Sequence, residues 1–147
     1  MKKKILKKVV IVLGVLIVVY HACWFYNYSL FSRFKDGLDV NQKFMSYSSL
    51  VDGYIYHVKY PFYTSFIGNL AVATDDSDYT LIIWPSRFTD TEYGVMVPTG
   101  NDSFTSIMIN EKLEAENEYD QVLIDKNKEQ IEDLFQKATE RWGDGYK

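Results

Sequence analysis

Residues Val9 to Tyr26 read VVIVLGVLIVVYHACWFY, eighteen positions without Asp, Glu, Lys or Arg. As a helix this run reaches roughly 27 Å, close to the ~30 Å hydrocarbon thickness of a bilayer. Lys2, Lys3, Lys4, Lys7 and Lys8 precede it, and Tyr20, Trp24, Phe25, Tyr26 and Tyr28 close it. Lysines at one end and aromatic rings at the other are the two anchors of a spanning helix, because ammonium groups stay in water while Trp and Tyr pair an apolar ring with a polar tip. The pattern predicts a signal-anchor over residues 1–28, with Lys7, Lys8, Trp24 and Tyr26 as anchor residues and the lipid bilayer as partner of residues 9–26. Five lysines before the run against Arg33 and Lys35 just after it place the N-terminus in the cytoplasm and the C-terminal domain outside the cell membrane.

Two other fates of this head are open. Cleavage as a signal peptide after Ala22 would put the large Tyr20 at the −3 position, where a small residue is required. Lipidation at Cys23 would need an aliphatic–small–small approach, and of Tyr20-His21-Ala22 only Ala22 fits. The uncleaved anchor meets these requirements best. His21, near the outer end of the run, is expected to reach interfacial water, and Cys23 to act as a small hydrophobe.

Charge separates the head from the rest. Residues 1–28 hold five lysines and no acid, whereas residues 29–147 hold the other 11 basic residues and all 20 acids, a net of −9. An acidic body lacks the basic footprint of a nucleic-acid binder. Twelve Tyr, nine Phe and three Trp in the whole chain, most of them in the body, set it apart from disordered chains, which are poor in aromatics. A single cysteine excludes an intrachain disulfide framework. No Pro/Gly/Ser-rich linker divides residues 29–147, which therefore read as one extracytoplasmic domain, joined to the anchor by a connection over Ser29–Gly37.

The periodicity of the body predicts an α+β fold, an antiparallel meander of four to six strands packed with an N-terminal and a C-terminal helix. Val40, Phe44, Tyr47 and Val51 fall at helical spacing, with Asp39 and Gln42 as a capping pair and Gly53 as a stop. From Tyr54 the period becomes two, and Pro61 ends the strand. Further strands are expected in Phe66–Thr74, in the apolar run Tyr79–Trp84, in Tyr93–Val97 up to Pro98, and in Phe104–Ile109 with a continuation through Leu113 and Ala115. Asp75–Asp78 and Thr99–Ser103 read as turns. Gln121–Ile124 is a short strand or the approach to a final helix. In that helix Ile131, Leu134, Phe135, Ala138 and Trp142 form one apolar stripe, Asn127 and Gln130 a cap pair, and Gly143 the end.

No phosphate-cradling glycine loop, G-x-S-x-G elbow or H-E-x-x-H motif occurs in the sequence. His57 is the only histidine of the body; beside Lys59 and opposite the tyrosines of its strand, it reads as solvent-facing. Asp75, Asp76 and Asp78 lack the glycine and glutamate that would continue an EF-hand loop, and read as a solvated turn. Glu111, Glu114, Glu116, Glu118 and Asp120 read as a solvated acidic face. No catalytic, cofactor-binding or metal-binding residue is assigned. Tyr54, Tyr56, Tyr60 and Tyr63 are a possible partner surface, although aromatics at period two more often pack beneath a helix. The functional expectation is a non-enzymatic binding or accessory module of the cell envelope, meeting a membrane or cell-surface protein. The alternatives are a small envelope hydrolase using acidic residues, or a secreted protein released by cleavage.

Overall fold

The computed structural model describes residues 2–41, 46–100 and 103–147. Its first element, α1, is one unbroken helix, Lys2–Ser32, and is long and apolar enough to cross a membrane. Every side chain from Lys4 to Val19 is exposed. The last turns of the helix behave differently, since Leu30 and Phe31, with Phe34 just beyond, are buried in the domain core. The stretch Ser29–Gly37, expected as a plain connection, is therefore the end of α1 and part of the core. Apolar side chains spaced along one face of the helix end have a sheet to pack on, so the helix does not stop at the predicted boundary.

Seven strands follow, β1 (Asp39–Asn41), β2 (Ser46–Val51), β3 (Tyr54–Lys59), β4 (Asn69–Thr74), β5 (Thr80–Trp84), β6 (Glu92–Gly100) and β7 (Ser103–Ile109). They form a single sheet in chain order with every neighbouring pair antiparallel. Two helices complete the fold, α2 (Glu118–Lys126) and α3 (Lys128–Trp142), and a 3₁₀ turn, Gly143–Tyr146, ends it. The α+β class expected from the periodicity is the class observed.

The helix expected over Asp39–Val51 is absent among the described residues; Gln42 and Phe44 lie outside them. Where it was expected, β1 and β2 pair with each other and β2 pairs with β3. The turn explains why. Val51 pairs with Tyr54 across Asp52-Gly53, and both turn residues have positive φ, 50° and 81°. Asp-Gly in that conformation is the favoured two-residue hairpin turn, and the strand pairing it closes outweighs a helical periodicity built on average helix formers. Pro98 does not end β6, which runs to Gly100 through an irregular register. The continuation after β7 is one isolated bridge, Ile109 to Ala115. Gln121–Ile124 is helical, within α2, whose N-terminus is capped by the Asn117 side chain accepting from the Asp120 amide at 2.9 Å. Asn127 does not cap α3 through its side chain. That amide donates to the Leu123 carbonyl (2.8 Å) and accepts from the Tyr79 hydroxyl (3.2 Å), tying the α2–α3 corner to the sheet.

One face of the sheet is the core. Val58, Leu70, Val72, Leu81, Ile83, Val95 and Ile107 point into it and meet Ile124, Ile131, Leu134 and Ala138 of the C-terminal helices and Phe31 of α1. Gly143 ends α3 at φ 65°, in the left-handed region where a side chain is disfavoured. On the opposite face Ile55, Ala71, Ala73, Ile82 and Met96 are half-buried and Leu50, Phe104 and Met108 exposed. Among the described residues no helix lies over that face.

Candidate functional site

Three structural features converge where α1 meets the sheet. The β3–β4 loop, residues 60–68, folds back along the helix, and polar side chains of the helix satisfy its backbone. The Tyr20 hydroxyl donates to the Tyr63 carbonyl, Trp24 Nε1 to the Phe62 carbonyl at 3.1 Å, and Asn27 Nδ2 to the Phe66 carbonyl at 2.5 Å. His21 completes the set. Its Nδ1 lies 2.7 Å from the Ile17 carbonyl, which can only accept, so Nδ1 carries the proton. In the neutral ring Nε2 is then an acceptor, and the Tyr63 hydroxyl donates to it. His21 is thus held by a specific partner as well as lying near the end of the apolar run.

The loop that these bonds hold is conformationally costly. Phe66 has φ 55°, a left-handed value that bulky residues seldom adopt. Gly68 is pressed between helix and strand, where an added Cβ would lie 2.6 Å from the Lys59 carbonyl and 2.7 Å from the Phe31 ring. Only glycine allows Phe31 to approach the loop so closely. The β5–β6 loop, residues 85–91, reaches the same helix between Trp24 and Asn27, with Arg87 over the Tyr26 ring (4.3 Å) and Phe88 6.0 Å from it. The segment that follows α1 is held by α3 and the C-terminus. Trp142 Nε1 donates to the Phe34 carbonyl (3.1 Å), Arg141 to the Asp36 carbonyl (2.6 Å), and Arg33 to the Gly145 carbonyl.

At the foot of the uncovered sheet face, beside this junction, lies an apolar cleft of about 440 Å³. Phe66, Ile67, Trp84, Phe88 and Met108 line it, with Asn27 of α1 at one side and Asp90 and Glu92 at the rim. Trp84 lies across Gly94, where a Cβ would come within 3.0 Å of the indole. The cleft meets the open face through Trp84 and Met108, and that face also carries Ser48, His57 and Thr80.

The four tyrosines do not share an exposed surface. Tyr56 and Tyr60 are buried, Tyr56 edge-on to Trp142 and Tyr60 among Tyr28, Phe31 and Tyr47. Burial pushes the Tyr60 hydroxyl up to about 12. Tyr54 donates to Asp133 of α3 at 2.6 Å. Tyr63 alone is exposed, and its ring packs on Tyr20, His21 and Trp24. Of the residues expected to anchor the helix, Lys7 and Lys8 lie in the exposed part of α1, Trp24 holds the β3–β4 loop and Tyr26 the β5–β6 loop.

His57 faces the open side of the sheet but is half-buried between Ser48 and Ala71. Burial, and then the charge of Lys59, hold its pKa below the ordinary value. Asp75, Asp76 and Asp78 are exposed in the β4–β5 turn. There the Thr74 hydroxyl and the Asp78 amide bond Asp76 and hold its carboxyl below the usual range. Among the described residues no three His, Cys, Asp or Glu side chains gather as a metal-binding group. Glu114, Glu116 and Glu118 are exposed and Asp120 half-buried, whereas Glu111 accepts from Tyr93 at 3.2 Å. Glu111 lines a second cleft, about 670 Å³, together with Glu132 and Glu140.

The sequence reading placed Tyr20 only among the aromatic rings that close the apolar run, and missed Asn27. Asn27 carries a visible signal, an amide set among Phe25, Tyr26 and Tyr28 that needs a partner once buried. No protein-family model, curated protein or solved structure matches this chain.

Proposed function

We propose that the chain is a single-pass, membrane-anchored protein of the cell envelope, with its N-terminus cytoplasmic and its sheet domain outside, serving as a non-enzymatic binding module for another membrane-anchored protein. One observation carries the binding role: among the described residues the seven-stranded sheet has helices over one face only, and the other face exposes Leu50, Phe104 and Met108 and adjoins an apolar cleft beside α1. An open apolar cleft beside exposed apolar side chains is the kind of surface that marks an interaction site. The cleft shares Asn27 with α1, so a partner that reaches it would itself emerge from the bilayer close by. The excess of lysines before the run supports the orientation.

The test is site-specific photocrosslinking in intact cells, or in protoplasts where a wall is present. A benzophenone side chain at Met108, on the open face, should give a discrete adduct with a membrane protein, and one at exposed Glu129 of α3 should not. Protease added from outside should remove the domain from that adduct and spare an N-terminal tag. Absence of an adduct at both Met108 and Ile82 overturns the binding face, and protection of the domain until the membrane is permeabilised overturns the orientation. An intact mass beginning after Ala22 would establish the secreted alternative.

A second reading, a small hydrolase working with acidic residues, draws support from the cleft that brings Glu111, Glu132 and Glu140 to one wall. It requires cleavage of an envelope glycan by the parent chain and loss of that activity in Glu111→Gln.

A further inference from the structure

With the single-pass reading as its premise, we propose that the β3–β4 and β5–β6 loops are a membrane seat, inserted into the outer headgroup and acyl boundary of the bilayer in which α1 stands. The argument is one of height along α1. Spanning ~30 Å takes about 20 helical residues. Counted from Ile5, with Lys7 and Lys8 reaching back to the surface, the span ends at Trp24; counted from Val9, it ends at Tyr28. The β3–β4 loop is bonded to Tyr20, His21 and Trp24, at or below either limit. Helical side chains also lean toward the N-terminus, which carries these contacts further inward. A loop fixed at that height cannot stand in bulk water.

Its chemistry suits the location. Phe62, Tyr63 and Ile67 are exposed on the first loop and Phe88 on the second, Ile67 and Phe88 at 64% and 58%. Lys59 lies over the Phe62 ring and Arg87 over Tyr26, pairing cations with aromatic rings as interfacial segments do. Irregular backbone is tolerated at membrane depth only where its polar groups are satisfied by protein. Here the carbonyls of Phe62, Tyr63 and Phe66 all accept from α1 side chains. That requirement accounts for an Asn and two amphipathic rings beyond the aliphatic run. The opposite end of the sheet is of contrary character, its turns carrying Asp52, Asp75, Asp76 and Asp78. Asp90 lies within the second loop and Glu92 just beyond it, both lining the apolar cleft. Glu111, Glu114 and Glu116 leave the same end of the sheet after the edge strand β7, so the seat is confined to the two loops flanking α1.

The experiment uses the full chain in phosphatidylethanolamine/phosphatidylglycerol vesicles, with Cys23→Ser and single cysteines placed in turn at Leu16, Ile67, Phe88 and Phe104. Each is labelled with a nitroxide, and its accessibility to oxygen is compared with that to a water-soluble nickel chelate. Labels at 67 and 88 should favour oxygen, as the mid-span label at 16 does more strongly, while the label at 104, at the acidic end, should favour nickel. Nickel accessibility at 67 and 88 equal to that at 104, with the label at 16 in lipid, overturns the seat and leaves the single-pass reading standing. A label at 16 that is open to nickel overturns both.

Discussion

At the scale of single residues, His57 is a side chain whose protonation the fold alters. Its native pKa lies below the 6.5 of a free imidazole because burial disfavours the charged ring and Lys59 repels it. The unfolded chain therefore binds a proton near pH 6.5 that the native chain does not, and stability rises with pH across that window. The contribution is intact above about pH 6.5 and is lost as pH falls below it through the native pKa. The urea midpoint of the full chain in detergent micelles should accordingly fall less for His57→Asn than for the parent between pH 7 and pH 5. Carboxylates titrate in both chains, so the parent-minus-variant difference isolates His57; a difference constant with pH would show that the ring is already solvated. The sequence placed His57 correctly on the face away from Tyr56 and Val58. Its half-burial was illegible there, because shielding comes from cross-strand neighbours in β2 and β4.

Among the elements, α3 shows both the strength and the limit of pattern reading. Its apolar stripe packs as the spacing requires, yet unequally: Ile131, Leu134 and Ala138 are buried, and Phe135 and Trp142 only half-buried. Phe135 stands at the stripe's margin, its ring 5.4 Å from Tyr93 and its outer side lining a cleft. Leu134→Ala should then cost about 2–5 kcal/mol, since it leaves a cavity with nothing to collapse into it. Phe135→Ala, which opens a site already in contact with water, should cost less. Glu132→Ala should stay within about 0.5 kcal/mol, its 3.7 Å pair with Lys128 being fully at the surface. Thermal or urea melts of the three variants give the order; equal losses at 134 and 132 would mean that α3 does not pack on the sheet as described. Where pattern reading failed, at Asp39–Val51, the four apolar positions fit a helix, but Asp52-Gly53 specified a hairpin. A local turn that sets strand register prevailed because β3, β4 and β5 supply the sheet to which β2 adds.

For the whole molecule, the consequential finding is that the long N-terminal helix and the sheet domain share one core. Composition separates residues 1–28 from the rest sharply, a basic apolar head against an acidic aromatic body, and that contrast suggested two parts joined by a connection. Composition could not reveal that Leu30, Phe31 and Phe34 belong to the body, since helix and sheet contacts between distant segments leave no periodic trace. Leu30 and Phe34 are 5% and 2% exposed and Phe31 is fully buried, with Phe31 filling the space that Gly68 leaves open. Losing a buried Leu or Phe side chain typically costs about 2–5 kcal/mol each, against a total stability of about 5–15 kcal/mol. A shortened chain beginning at Gly37 lacks all three, and should show no cooperative urea transition. One beginning at Ala22 retains them along with Trp24 and Asn27, and should unfold cooperatively, with the near-ultraviolet circular dichroism of a packed aromatic core. The two lengths differ by less than a fifth of the body yet should differ in whether they fold. If the Gly37 chain melts at the same urea concentration as the Ala22 chain, the sheet and its C-terminal helices are a self-sufficient domain and the helix end merely rests on them.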